Sequence, residues 1–186
     1  VKINGSTIPS IAQFENVVWI EQYNPPVILN DKAGEIIEVD TVAHPHNLTG
    51  AGQVIAIADT GLDTGNLSTL HPDIRGRVDA LYDWSDGNPA DTNGHGTHVA
   101  GSALGNGSLS AGQYKGMAPE ADLFFQACGD GSSSLNIPSL HQLFIEAYNN
   151  GSRIHSNSWG SDSVLSYSTE AVALDNFTWH HPDMLI

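Results

Sequence analysis

Nine consecutive residues, Asn93-Gly94-His95-Gly96-Thr97-His98-Val99-Ala100-Gly101, constrain the fold of this chain more than any other stretch. Small residues at positions 96, 100, 101 and 103 let a helix pack closely against a neighbour. Such a helix has poor intrinsic propensity, because glycine costs about 1 kcal/mol relative to alanine. A chain accepts that penalty where close approach or special backbone geometry is required. His95 falls at or near the start of the helix, where a loop can present it to a cleft. Two histidines three apart, taken alone, read as ordinary core or surface residues, and as metal ligands they lack a nearby third partner. An upstream partner changes that reading. Val54-Ile55-Ala56-Ile57-Ala58 is a short apolar run with β-branched residues, closed by Asp59-Thr60-Gly61. Open α/β sheets place their chemistry at the C-terminal ends of such buried strands.

The rest of the chain supplies the matching architecture. Residues 1–29 read as a small separate unit: Ser10 to Phe14 closes a helix, Val17 to Ile20 is a strand candidate, and Pro25-Pro26 enforces an extended stretch. Residues 30–52 are polar and turn-rich. His44 and His46, flanking Pro45, read as part of a solvated loop, with a metal site as the alternative. Val78 to Tyr82 is a short strand, and Asp83, Asp86 and Asp91 crowd the approach to His95. Carboxylates at that density are candidate calcium ligands, although their spacing is not that of an EF-hand, and solvated turn residues are the competing reading. After a Gly/Ser-rich loop from Leu104 to Gln113, Ala121 to Ala127 reads as a core strand. Ile137, Leu140, Leu143, Phe144, Ala147 and Tyr148 then fall on one helical face, with Pro138 in the first turn and Gly151 at the stop. Ser152 to Gly160 reads as a strand leading into a glycine turn, Thr169 to Phe177 as a helix, and Met184 onward as another strand. Alternating strand and helix predict an α/β sandwich with a largely parallel sheet.

Composition removes several function classes. Six basic residues stand against 21 acidic ones, a net charge of −15, which argues against nucleic acid and anionic membrane surfaces as partners. No apolar run approaches the roughly 20 residues of a membrane span. Cys128 is the single cysteine, so no internal disulfide framework exists, and it reads as a buried small hydrophobe. The chain opens on Val1, shows no signal peptide, and closes on the apolar Met184-Leu185-Ile186. Both ends are expected to be cut points of a longer polypeptide.

V-I-A-I-A-D-T-G and N-G-H-G-T-H-V-A-G, with Asp59 and His95 36 positions apart, resemble the first two catalytic blocks of the subtilisin-like serine proteases. R-I-H-S-N-S-W-G resembles the substrate-binding strand of that family, and I-A-Q-F-E-N-V-V-W-I-E resembles the end of its propeptide. Within the family the chain is most similar to the oxidatively stable alkaline subtilisins of bacilli. The resemblance implies the subtilisin-like three-layer sandwich, present here as its N-terminal half. It divides the chain into a propeptide tail at 1–29 and the first part of a peptidase domain at 30–186. Asp59 would orient His95, the general base. His98 would be a structural, hydrogen-bonded histidine, as would His155. Ser158, Trp159 and Gly160 would line the wall of the primary specificity pocket, where an extended peptide gains main-chain hydrogen bonds beside an exposed strand. No cofactor is implied for the chemistry, and a structural calcium ion would be the only metal. The implied partners are protein or peptide substrates and the chain's own propeptide, in a secreted enzyme that is monomeric when complete.

The family places its nucleophilic serine in a G-T-S-M-A block and its oxyanion-binding asparagine in an A-A-G-N block. Neither string occurs here, nor does Gly-x-Ser-x-Gly, which removes an α/β-hydrolase. Two other readings stay open: a non-catalytic relative that keeps the cleft to bind peptides, and a metal-dependent hydrolase using these histidines and aspartates. The intact Asp59 and His95 argue against the first, and sensitivity to chelators distinguishes the second.

Overall fold

The computed structural model describes residues 4–17, 20, 30–85, 87–131, 134–160 and 167–186. Four parallel strands make one sheet: β1 Val54–Asp59, β2 Val78–Asp83, β3 Asp122–Ala127 and β4 Ile154–Asn157, in the spatial order β2-β3-β1-β4. Two short helices, α1 Ile8–Ile11 and α2 Asn30–Ile36, precede the sheet; α3 His95–Leu104 joins β2 to β3, α4 Leu140–Asn149 joins β3 to β4, and α5 Thr169–His180 follows. The chain steps outward from β1 to β2, returns to β3, and then crosses to β4 on the other flank of β1. That reversal opens a crevice at the C-terminal ends of the strands beside β1.

Side-chain alternation assigns the two faces of the sheet. Ile55 and Ile57 of β1, with Leu123 and Phe125 of β3, pack against Ala100 and Leu104 of α3. Ala56, Ala58 and Phe124 turn the other way and meet Leu143, Phe144 and Ala147 of α4 and Phe177 of α5. The molecule is thus a three-layer α/β sandwich. Covering both faces explains why V-I-A-I-A and L-F-F-Q-A are near-continuous apolar runs rather than alternating ones. Phe124, Phe125, Phe144 and Phe177 are each essentially fully buried, and each stabilises the fold by about 2–3 kcal/mol.

Helix α4 forms where the apolar face was read, but it starts at Leu140. Ser139 takes the capping position and accepts from the Gln142 amide, so Pro138 stays outside the helix rather than in its first turn. At the other end Gly151, at φ +90°, closes a Schellman motif: its amide donates to the Tyr148 carbonyl and that of Ser152 to the Ala147 carbonyl. Helix α5 runs three residues past the expected Phe177. His180 Nδ1 donates to the Asn176 carbonyl and His181 Nδ1 to that of Phe177, so the last turn is satisfied from within.

Two other expectations are corrected. Residues 30–52 are not a turn-rich loop: α2 is followed by a π-helical turn at Val39–Ala43 and a 3₁₀ turn at His44–His46. Tertiary contact decides this, because His44 Nε2 bonds the Met117 carbonyl at 3.2 Å while its Nδ1 lies 3.3 Å from Asp40. Met184 does not open a full strand. It is buried in the second core, and a single bridge from Leu185 to Ile154 follows. Asp86, Val18-Trp19 and residues 21–29, with Pro25-Pro26 among them, lie outside the described residues. No helix among the described residues is long and apolar enough to cross a membrane.

Candidate active site

Asp59 is the last residue of β1 and is 1% exposed. Its Oδ1 accepts from the Thr60 amide at 2.7 Å and meets Nδ1 of His95, the first residue of α3, also at 2.7 Å. A carboxylate only accepts, so Nδ1 carries the proton in this contact. The lone pair of the neutral ring is then on Nε2, and half of the His95 side chain is exposed. A buried acceptor and an oriented, half-exposed imidazole are the parts from which a general base can be built.

Asp91 holds the start of α3 in place. Its Oδ1 accepts from Thr60 Oγ1 and from the amides of Asn93 and Gly94, and its Oδ2 accepts from the amide and hydroxyl of Thr97. Thr60 Oγ1 in turn accepts from the Gly96 amide. Two of the helix's otherwise orphan first-turn donors are satisfied in this way. Burial raises the Asp91 carboxyl, but the bonds from Thr97, Gly94 and Thr60 outweigh it and hold the group below its ordinary value. Asp91, one of the acidic residues read as candidate calcium ligands, therefore spends both oxygens on capping. Asp83 accepts from the Ser85 amide and hydroxyl. No three acidic, histidine or cysteine side chains converge as a metal site among the described residues.

Gly96 sets how closely α3 approaches β1. A Cβ there would collide with the Gly61 carbonyl oxygen and would stand 3.1 Å from Asp59 Cβ and 3.0 Å from Phe125. The obstructing carbonyl belongs to backbone and cannot swing aside. Gly96→Ala is therefore expected to push His95 away from Asp59 and to reduce any turnover that depends on this pair about 100-fold, as an ångström-scale misplacement does. Activity within a factor of three of the parent would show that the close approach is not needed.

The neighbouring strand ends beside Asp59. β4 runs beside β1 with Asn157 opposite Ala58, so Ser158 follows level with Asp59. Ser158 and Gly160 are exposed, while Trp159 is half-buried against the second core and its Nε1 donates to the Ala58 carbonyl at 2.9 Å. The indole thus ties the end of this segment to the strand that carries Asp59. The structure brings Asp59, His95 and the start of this segment to one end of the sheet. It does not bring His98. The buried face of α3 is Gly96, Ala100 and Leu104, so His98 points outward and makes no side-chain hydrogen bond among the described residues, contrary to expectation. It lines a separate cavity of about 670 Å³ with His71, Ile74, Tyr114 and Met117.

Two functional features escaped the sequence reading: the Asp91–Thr60–Thr97 capping network and a bond between Gln126 and His155. The only signal for the second was the polar Gln126 within the apolar run of β3.

The Subtilase family model matches residues 50–185. The chain is 32% identical over an alignment of 200 residues to the Serine protease/ABC transporter B family protein tagD of Dictyostelium discoideum, covering 95% of this chain and 11% of that protein. It is 37% identical over 131 residues to Subtilisin Savinase of Lederbergia lenta, covering 70% of this chain and 45% of the relative. Among solved structures, fervidolysin from Fervidobacterium pennivorans shares the fold with a TM-score of 0.56 at 23% identity, over 78% of this chain and 22% of that one. The chain spans less than half the length of each of these proteins.

Proposed function

This chain belongs to the subtilase family, and from that premise we propose that it supplies the acid–base half of a serine endopeptidase site. The observation that carries the reading is the 2.7 Å contact between Asp59 Oδ1 and His95 Nδ1. An extended peptide lies beside Ser158, Trp159 and Gly160 and presents its scissile carbonyl to the cleft. His95 Nε2 takes the proton of a serine hydroxyl as that oxygen attacks the carbonyl. Asp59 holds the ring and stabilises the imidazolium that forms. His95 then gives the proton to the leaving amine, and water hydrolyses the acyl-enzyme through the same base. The nucleophile and the side-chain oxyanion donor come from sequence outside these 186 residues.

Residues 1–29 act as the tail of a propeptide, and the complete enzyme is secreted, monomeric and similar to the alkaline subtilisins of bacilli. Maturation is expected between Tyr23 and Asp31, after Leu29. N-terminal sequencing of the mature full-length protein checks this, and a start upstream of Gln22 or downstream of Gly34 would contradict it.

The function itself is tested by hydrolysis of an unfolded protein substrate. The full-length protein should cleave it, lose activity to a serine-directed fluorophosphonate, and keep turning over in a chelator. Loss to the chelator alone would replace this reading with a metal-dependent hydrolase.

A further inference from the structure

We propose that His155 and Gln126 form a clasp across β1 that sets the position of the substrate strand, and that protonation of His155 opens it. The proposal rests on the peptidase reading only for its consequence on substrate binding; the clasp and its opening stand apart from it.

The geometry depends on β1 lying between β3 and β4. Gln126 of β3 is in register with Ala58, and His155 of β4 with Ala56. Ala56 and Ala58 belong to the same face of the sheet. Outer strands separated by one intervening strand are about 10 Å apart. Two long side chains can meet over that span only if the strand between carries small residues, and here His155 Nε2 lies 2.9 Å from Gln126 Oε1. Both residues are buried. Gln126 Nε2 donates to the Leu143 carbonyl of α4 at 3.0 Å, which fixes the amide orientation. Its oxygen must therefore accept, so the imidazole carries its proton on Nε2. The clasp links α4, β3 and β4 while passing over the strand that ends in Asp59. It lies three residues before Ser158.

This arrangement has no place for a second proton. His155 Nδ1 is buried with no hydrogen-bond partner among the described residues. Around it β1 presents Ala56, β3 presents the neutral Gln126, and α4 presents Phe144, whose ring meets the imidazole edge-on with centroids 5.0 Å apart. On the C-terminal side the Leu185 carbonyl takes the His155 backbone amide. The charged pair on that side, Arg153 and Asp183, is partly exposed and bonded to each other. Burial alone lowers the His155 pKa to about 4. In an opened or unfolded chain the ring protonates near 6.5. As pH falls from 6.5 toward 4 the open state takes up a proton that the closed state refuses, so closure is favoured above 6.5 and weakens through this window. A shift of that size corresponds to about a 300-fold change in the opening equilibrium.

Three measurements on the full-length protein test the inference. NMR of the folded wild type should show His155 as the neutral Nε2–H tautomer, titrating well below 5. Hydrogen exchange of residues 154–160, corrected for intrinsic rate, should report opening that grows by about two orders of magnitude between pH 6.5 and 4. His155→Gln, which keeps a donor for Gln126 but cannot titrate, should remove that growth. His155→Leu, which orphans the Gln126 oxygen, should raise KM for a peptide about fivefold at pH 7 with kcat nearly unchanged. Rescue of KM by His155→Gln separates positioning from mere packing. Titration of His155 near 6.5 in the folded wild type would overturn the proposal without any variant, and so would acid opening that persists in His155→Gln. Absence of peptide hydrolysis by the wild type would count against the peptidase reading and leave the NMR and exchange results to judge the clasp.

Discussion

Replacing Asp59 by asparagine in the full-length protein is expected to lower turnover by about four orders of magnitude while the fold is retained; the size is that established for the same change in serine proteases with an Asp-His-Ser triad. Asparagine preserves the shape of the side chain. It removes the charge that stabilises the imidazolium, in a site where Asp59 is 1% exposed and water offers little compensation. An amide nitrogen turned toward His95 also reverses the tautomer, placing the ring proton on Nε2 where the base must be free. His95→Ala should be at least as damaging, because it removes the proton acceptor itself. His98→Ala should leave turnover within a few-fold, since that ring points away from the cleft. Steady-state kinetics with circular dichroism on all three variants checks the assignment. A catalytic loss in the His98 variant equal to that in the His95 variant would reverse the roles of the two histidines.

Residues 1–186 purified alone are expected to hydrolyse no peptide and to take up no fluorophosphonate. In the proposed reading they provide an orienting carboxylate, a base and one wall of a cleft. His95 without a positioned hydroxyl acts only on loosely held water, and in the proposed reading the side-chain oxyanion donor also lies outside these residues. The same chain is expected to self-associate. Among the described residues the outer edge of β4 takes only the Leu185 bridge, and Ile154, Trp179 and Leu185 are exposed. Adding the remaining catalytic segment, in one chain or by complementation, should restore both labelling and cleavage. Stoichiometric labelling of a serine within the isolated 186 residues would show that a nucleophile had been overlooked.

Asp59 and His95 were legible because each sits in a short motif whose neighbours serve the same end. The apolar run V-I-A-I-A delivers the carboxylate, and Gly96 lets the helix that carries the imidazole come close. The sheet was legible for a related reason, since burial on both faces writes continuous apolar runs into β1 and β3. The misread features depend on partners far along the chain. Asp91 was weighed as a solvated turn residue or a calcium ligand, and its capping role was missed because only the fold brings Thr60 to it. His44 looked solvated because nothing near position 44 announces the Met117 carbonyl. Gln126 and His155 stand 29 positions apart and meet only through the register of two strands with β1 between them. His98 was misplaced for a simpler reason: small residues mark that α3 packs closely, but Gly101 and Ala103 blur which side does so.

The central claim is that Asp59 and His95 are the orienting acid and the base for a serine nucleophile. Mass-spectrometric mapping of a fluorophosphonate adduct tests it most directly, on the full-length protein and its His95→Ala variant side by side. One adduct on a single serine outside residues 1–186 in the parent, and essentially none in the variant over the same time, is the predicted result. Equal labelling of parent and variant, or an actively hydrolysing parent that takes up no label, would contradict it.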